Sequence, residues 1–269
     1  MSTDSAAIPA PESSLRPVAL VARAVVLETV RRREFYVLAI FMGIFLAGAL
    51  IAEIVGIENP ATGTFILDLG LSLCVVFSQL VTLLTAARQI PDELEARTLH
   101  PLLAKPVSRG QCLMGKWLAS VFVGVFALGV MLLMGWVPAP KMERYYDLTL
   151  LQALVLQVAA FCVIAALALL SSLFIPKMLN MVLLAIIVFK SSTIIGFLQA
   201  RAAGTALEDV VRWLTGYIPD FSHFNLVQAY TGGVEPVGFE TFTLRLAYAA
   251  VLSTIYLAAA VWVFNRRTV

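Results

Sequence analysis

Six stretches of about twenty residues, almost free of charge, decide what this chain can fold into. They run Phe35–Val55, Phe65–Ala87, Leu113–Val137, Leu148–Phe174, Met178–Leu198 and Leu244–Phe264. About 20 apolar residues in a helix cross a bilayer core, where lipid offers backbone N–H and C=O groups no partner outside the helix itself. The fourth and fifth stretches are separated only by Ile175-Pro176-Lys177, in which proline stops one helix and lysine marks an interface. Together they are too long for one crossing. Charged residues make up 13% of the chain, about half of the roughly 25% usual for a soluble domain. The fold class expected is an all-α integral membrane protein with six transmembrane helices.

Orientation follows from the basic residues, which collect on the cytoplasmic side of a membrane. An even number of crossings places both termini on one side. That side gathers 13 of the 19 Lys and Arg residues, against five on the other, with Lys190 alone inside a span. Both termini and the loop 88–112 are therefore expected in the cytoplasm. Residues 1–16 mix Pro, Ser, Ala and acids without an apolar stretch, which fits a disordered cytoplasmic tail rather than a cleaved signal peptide. Residues 17–269 form a single membrane domain. A net charge of +2 gives no reason to expect nucleic acid. Cys74, Cys112 and Cys162 form no CxxC pair, so neither a metal site nor a disulfide framework is expected.

Two further segments read as helices lying on the membrane. Residues 17–34 place Val18, Val21, Ala22, Val25 and Val26 on one helical face and Arg23, Glu28, Arg31 and Glu34 on the other, as an interfacial helix would. Arg31-Arg32-Arg33 then meets lipid headgroups or simply fixes topology. The loop 199–243 contains Thr205 and Glu208 in a capping-box relation, followed by Leu207, Val210, Val211 and Leu214 at helical spacing. Gly216 and Pro219 separate it from a second apolar-faced piece around Phe221–Tyr230. Two short re-entrant or interfacial helices before the last span are expected, or a simple lid on the bundle.

The loop 88–112 holds most of the charge between the second and third spans. Gly110, Gly115 and Lys116 match a phosphate-binding loop until Trp117 stands where Ser or Thr would hold magnesium, and no strand precedes them. Ser108 and Gln111 instead form a capping box that starts the third span, which would leave Lys116 among headgroups. Pro91 is suited to opening a helix, and Asp92 and Glu93 favour the positive end of one. The loop thus reads as a short charged helix with a weak apolar stripe at Leu94, Thr98 and Leu99, beside Asp92, Glu95 and Arg97. A solvated connector is the plainer alternative.

The stretch "RQIPDELEARTLHPLLAKPVSRGQCLMGKWLA" resembles the cytoplasmic loop of ABC transporter permeases of the type-2 export class. The likeness rests on the acids Asp92, Glu93 and Glu95, then Thr98-Leu99, Leu102-Leu103, Pro106-Val107-Ser108-Arg109 and Gly115-Lys116. It is closest to permeases for multicopper-enzyme maturation, the nitrous-oxide-reductase maturation permease among them. "LTGYIPDFSHFNLVQAYTGG" is similar to that group's segment before its last span. Arg97 departs from the pattern, since many relatives carry glycine there.

The resemblance implies that Asp92, Glu93, Leu94, Glu95, Arg97, Thr98 and Leu99 form a coupling helix seated in a separate ATPase subunit. It also implies a unit of two permeases and two ATPases in a bacterial cytoplasmic (inner) membrane, with ATP and magnesium bound by the ATPase. Gly43 and Ala47 offer a small-residue contact for a second copy. A membrane scaffold or channel without energy coupling is the alternative function. An intramembrane enzyme is disfavoured: His100 and His223, the two histidines, lie outside the spans, and no HExxH or GxSxG motif occurs.

Lys190 is the remaining oddity. It lies 12 residues beyond Met178, about 18 Å along a helix, where an ammonium is unfavourable by roughly 3 kcal/mol. Glu53 and Asp68 are the acids expected within reach for an intramembrane ion pair; a lysine that snorkels to the interface is the other structural expectation. The competing expectation is that Lys190 lines a route for an anionic substrate.

Overall fold

The computed structural model describes residues 60–95, 109–135, 148–204, 208–215, 218–232 and 234–266, with isolated positions between Arg23 and Ile51. Every element among the described residues is helical. In chain order they are α1 Pro60–Glu95, α2 Arg109–Gly135, α3 Leu148–Ser172, α4 Lys177–Ala202, α5 Glu208–Thr215, a 3-10 turn Phe221–Phe224, α6 Val227–Thr231 and α7 Phe239–Arg266. Five of them (α1, α2, α3, α4 and α7) are long and apolar enough to cross a membrane. In the expected first span, Tyr36, Ile40, Gly43, Ile44, Phe45, Ala47, Gly48 and Ile51 are helical. The rest of that span lies outside the described residues, as does the interfacial segment 17–34 apart from Arg23.

The bundle is built around α3. Its Leu156, Ala160, Phe161, Val163, Ile164, Ala168 and Leu169 are wholly buried, packed between α1, α2 and α7. In the apolar window of α3, 61% is buried, against 17% in α4 and 22% in α7. The outward faces of α4 and α7 carry Leu179, Val182, Ile186, Val251, Ile255 and Trp262 exposed. Such faces are stable only against lipid or another protein, since an apolar patch of that extent is costly in water.

Where α1 meets α2 and α3, the contact is polar. Ser78, Gln79, Thr82, Thr85 and Gln89 are buried along α1. Thr82 Oγ1 donates to Ser78 O at 2.8 Å and Ser120 Oγ to Lys116 O at 2.9 Å, each hydroxyl bonding back to its own helix. Gln89 Nε2 donates across to Ser120 Oγ at 2.7 Å, and Gln79 Nε2 reaches Gln157 Oε1 on α3 at 3.4 Å. Cross-helix bonds of this kind hold helices together where lipid supplies no hydrophobic drive.

Two expectations from the sequence are corrected here. Pro91 does not open a separate helix; α1 runs through it to Glu95, so the acidic segment continues the second span. Proline removes the N–H that would bond Ala87 O one turn earlier, and side-chain donors bond other carbonyls around this turn. Arg88 Nε donates to Leu84 O at 2.9 Å, and Lys116 Nζ to Gln89 O at 3.2 Å. Lys116 therefore does not sit among headgroups. It is 2% exposed, because the helical frame set from Arg109 turns it toward α1. The near-match to a phosphate loop falls inside α2, and its lysine faces protein.

The connector between α4 and α7 is pinned at several points. Gly204, at φ 75°, ends α4 in the left-handed region that suits glycine. Its N–H donates to Glu208 Oε2 at 3.0 Å, one residue before the bond a Thr205–Glu208 capping box would make; Thr205 itself lies outside the described residues. Gln199 Nε2 donates to Thr215 Oγ1 at 3.1 Å, and Phe221 N to Ser191 Oγ at 3.1 Å. Within this connector the described residues form the short helix α5, the 3-10 turn and α6.

Candidate functional site

The end of α1 carries the segment singled out for coupling. Asp92 forms an ion pair with Lys177, the first residue of α4, and both side chains are about a quarter exposed. Pro176 sets this geometry, since it fixes the start of α4 and presents Lys177 at its first turn. Glu93, Leu94 and Glu95 are helical at the tip of α1, with side chains outside the described residues. Arg97, Thr98 and Leu99 lie outside them altogether. The acidic tip is therefore a continuous extension of a long apolar helix, and its Asp92 is paired with the start of a second one.

At the opposite end of α1, roughly 36 Å away by the rise of a helix, stands Asp68. It accepts from Thr231 Oγ1 of α6 at 2.8 Å. A second clamp holds the connector to α3: Gln152 Nε2 donates to Val237 O at 2.9 Å, and Val237 N donates to Gln152 Oε1 at 3.0 Å. Sequence reasoning did not anticipate this clamp. A glutamine within an apolar run was its one signal.

The expected pair between Lys190 and Asp68 is not formed. Lys190 is exposed on the outward face of α4, where it makes no hydrogen bond or ion pair with any of the described residues, while Asp68 is engaged by Thr231. Helical phase explains the separation: the buried face of α4 carries Asn180, Leu184, Val188 and Ser191, and Lys190 falls on the other side. Glu53 lies outside the described residues.

Comparison with protein families gives a match over residues 19–269 to the model described as ABC-2 family transporter protein. The chain belongs to the ABC-2 transporter family. No curated protein matches it. ABC-2 proteins are membrane components of ABC transporters and work with an ATPase subunit. The apolar helices of the chain accord with that membership, and this is a membrane protein.

Proposed function

We propose that this chain is the six-span permease subunit of an ATP-driven ABC exporter in a bacterial cytoplasmic membrane, with both termini in the cytoplasm. It is closest in kind to the multicopper-enzyme and nitrous-oxide-reductase maturation permeases. ATP and magnesium belong to the partner ATPase, and this chain contributes no catalytic group. The observation that carries the reading is the continuity of α1 from an apolar span into the acidic tip at Asp92, Glu93 and Glu95. A groove on an ATPase that grips this tip moves a spanning helix directly. Arg97, Thr98, Leu94 and Leu99 complete the docking segment.

The test reverses the charge of the tip. A combined Asp92→Lys, Glu93→Lys, Glu95→Lys variant is expected to insert normally and to lose its ATPase on co-purification. Like charges facing each other at an interface cost several kcal/mol. Normal recovery of the ATPase by this variant would remove the docking role and favour the scaffold reading.

A second copy of the chain is proposed against α4. Leu179, Leu183, Ile186, Lys190, Thr193 and Phe197 are all exposed and recur at alternating steps of four and three residues. That is the spacing of a coiled-coil seam, in which one polar position fixes register. Two-fold symmetry would bring two Lys190 side chains to the seam, where they repel unless an anion lies between them. Lys190 is accordingly assigned to the route of an anionic part of the substrate. Lys190→Met is expected to change stability by no more than about 0.5 kcal/mol, since no partner among the described residues is lost. Substrate-stimulated ATP turnover of the reconstituted complex is expected to fall several-fold. Unchanged turnover would take Lys190 off the route.

A further inference from the structure

The 3-10 turn Phe221–Phe224 is held from two sides by long apolar helices. On one side, Phe221 N donates to Ser191 Oγ of α4 at 3.1 Å. On the other, Arg245 and Tyr248 stand one turn apart on the same face of α7. Arg245 Nη1 donates to His223 O at 3.0 Å, and Asp220 N donates to Tyr248 Oη at 3.3 Å. The Tyr248 ring stacks on Phe224 and meets the His223 ring edge-on. Phe221 and Phe224 are buried, while Ser222, His223 and Asn225 are exposed. The turn thus presents a polar edge, and its buried phenylalanines fix where that edge stands.

The charges along the edge leave one cation over. Asp220 is the acid there, and it is already engaged: Oδ1 accepts from Ser222 N at 2.9 Å, and Oδ2 lies 3.8 Å from His223 Nε2. Arg245 has no carboxylate partner among the described residues and bonds a backbone carbonyl instead. Glu240, five residues earlier on α7, is about 140° round the helix from it. One carbonyl occupies one of the guanidinium's N–H groups, and the planar fork has donors to spare for paired phosphate oxygens.

Depth narrows the choice of anion. Arg266 lies over the Trp262 ring at 3.9 Å, an arrangement suited to a membrane interface. About 20 residues of helix cross the hydrocarbon, which puts the other boundary of α7 near Phe242. Arg245 is then about 5 Å inside that boundary. A guanidinium left in hydrocarbon is costly, but its long stem reaches the headgroup layer. The exposed Val251 and Ile255 continue below it along α7, a surface for acyl chains.

We propose that Arg245, with His223 beside it, binds the anionic phosphate headgroup of an amphiphile. The guanidinium fork holds the phosphate oxygens, and the imidazole flanks them. The amphiphile is either a resident phospholipid or a transported one, and in the second case the inference rests on the exporter reading above. The headgroup site itself does not depend on that reading.

The test uses the full chain purified in detergent without the ATPase, titrated with phosphatidylglycerol and with phosphatidylcholine of the same acyl chains. Native mass spectrometry measures the lipid bound. The first phosphatidylglycerol is expected to bind about tenfold more tightly, since no choline offsets its charge. Arg245→Gln is expected to abolish that preference. Arg245→Lys keeps the charge without the fork and should retain part of it. His223→Gln leaves the carbonyl that Arg245 bonds in place and should lower the preference about threefold, the loss of one hydrogen bond. Arg201→Gln, a cation lying over Phe197 on α4, should leave it unchanged.

Equal affinity for the two lipids in the parent would overturn the proposal, as would a preference that survives Arg245→Gln. Binding of both lipids lowered alike would make Arg245 only a support for the turn, and a loss of preference in Arg201→Gln as large as in Arg245→Gln would make the effect one of general charge; either result overturns the site. If Arg245→Gln melts well below its parent, Arg245→Lys and His223→Gln decide, and an unchanged preference in both overturns it. Adding the ATPase and ATP then separates the two sources. Loss of bound phosphatidylglycerol during turnover marks a transported occupant, retention marks a resident lipid, and both keep the headgroup site.

Discussion

Reversing either member of the Asp92–Lys177 pair is expected to lower substrate-stimulated ATP turnover about tenfold, the equivalent of 1.4 kcal/mol. The swapped double variant, Asp92→Lys with Lys177→Asp, is expected to recover most of it. The pair joins the tip of α1 to the first turn of α4. Its worth to stability alone is small: both side chains are partly exposed, and ion pairs of that kind contribute about 0–1 kcal/mol. A charge reversal does more than remove it. Asp92→Lys sets a second cation beside Lys177 and one helical turn from Arg88, so the two helix ends repel. On the exporter reading proposed above, what is lost is the link by which a push on α1 would reach α4.

Lys177→Asp separates transmission from docking, because Lys177 lies outside the acidic segment. That variant should still co-purify with the ATPase while turnover falls. Single reversals without effect, or a swap that restores nothing, would show that the pair is only a surface contact.

Much of this fold was readable from hydropathy, because a membrane forces the same answer on any long apolar run. Helices appear near 65–87, 113–137, 148–174, 178–198 and 244–264: α1, α4 and α7 run past those bounds at both ends, α2 starts earlier and stops at Gly135, and α3 stops at Ser172. Pro91 was misread because its local preference for a helix start was weighed without neighbours. In the structure, Arg88 and Lys116 supply donors to carbonyls of the same stretch. Lys116 was misplaced because its charge suggested water, whereas its position in α2 turns it toward α1. The separation of Lys190 from Asp68 depends on the rotation of α4 about its own axis, which composition does not encode. The Asp92–Lys177 pair joins residues 85 positions apart, and a single sequence carries no signal of such a meeting beyond the bare presence of polar residues in apolar surroundings.

Gly124→Ala is expected to destabilise the bundle by about 1–3 kcal/mol, the cost of overpacking a filled core. Helix propensity alone predicts the opposite sign, since alanine is better than glycine inside a helix by about 1 kcal/mol. Crowding decides. A Cβ at position 124 would stand 2.0 Å from Thr82 Oγ1 and 3.2 Å from the ring of Phe161. Both neighbours are wholly buried, and Thr82 Oγ1 is tied to Ser78 O at 2.8 Å. The clash must therefore be relieved by moving α1 away from α2, at the crossing where a small residue lets the two backbones approach. Thr82→Ala removes the nearest atom. The double variant Gly124→Ala, Thr82→Ala is expected to be more stable than the sum of the single changes by about 0.5–3 kcal/mol. Thermal unfolding of the purified protein in detergent measures all four members of the cycle. A Gly124→Ala protein as stable as its parent, or strictly additive effects, would mean that α1 and α2 are not in close contact at this point.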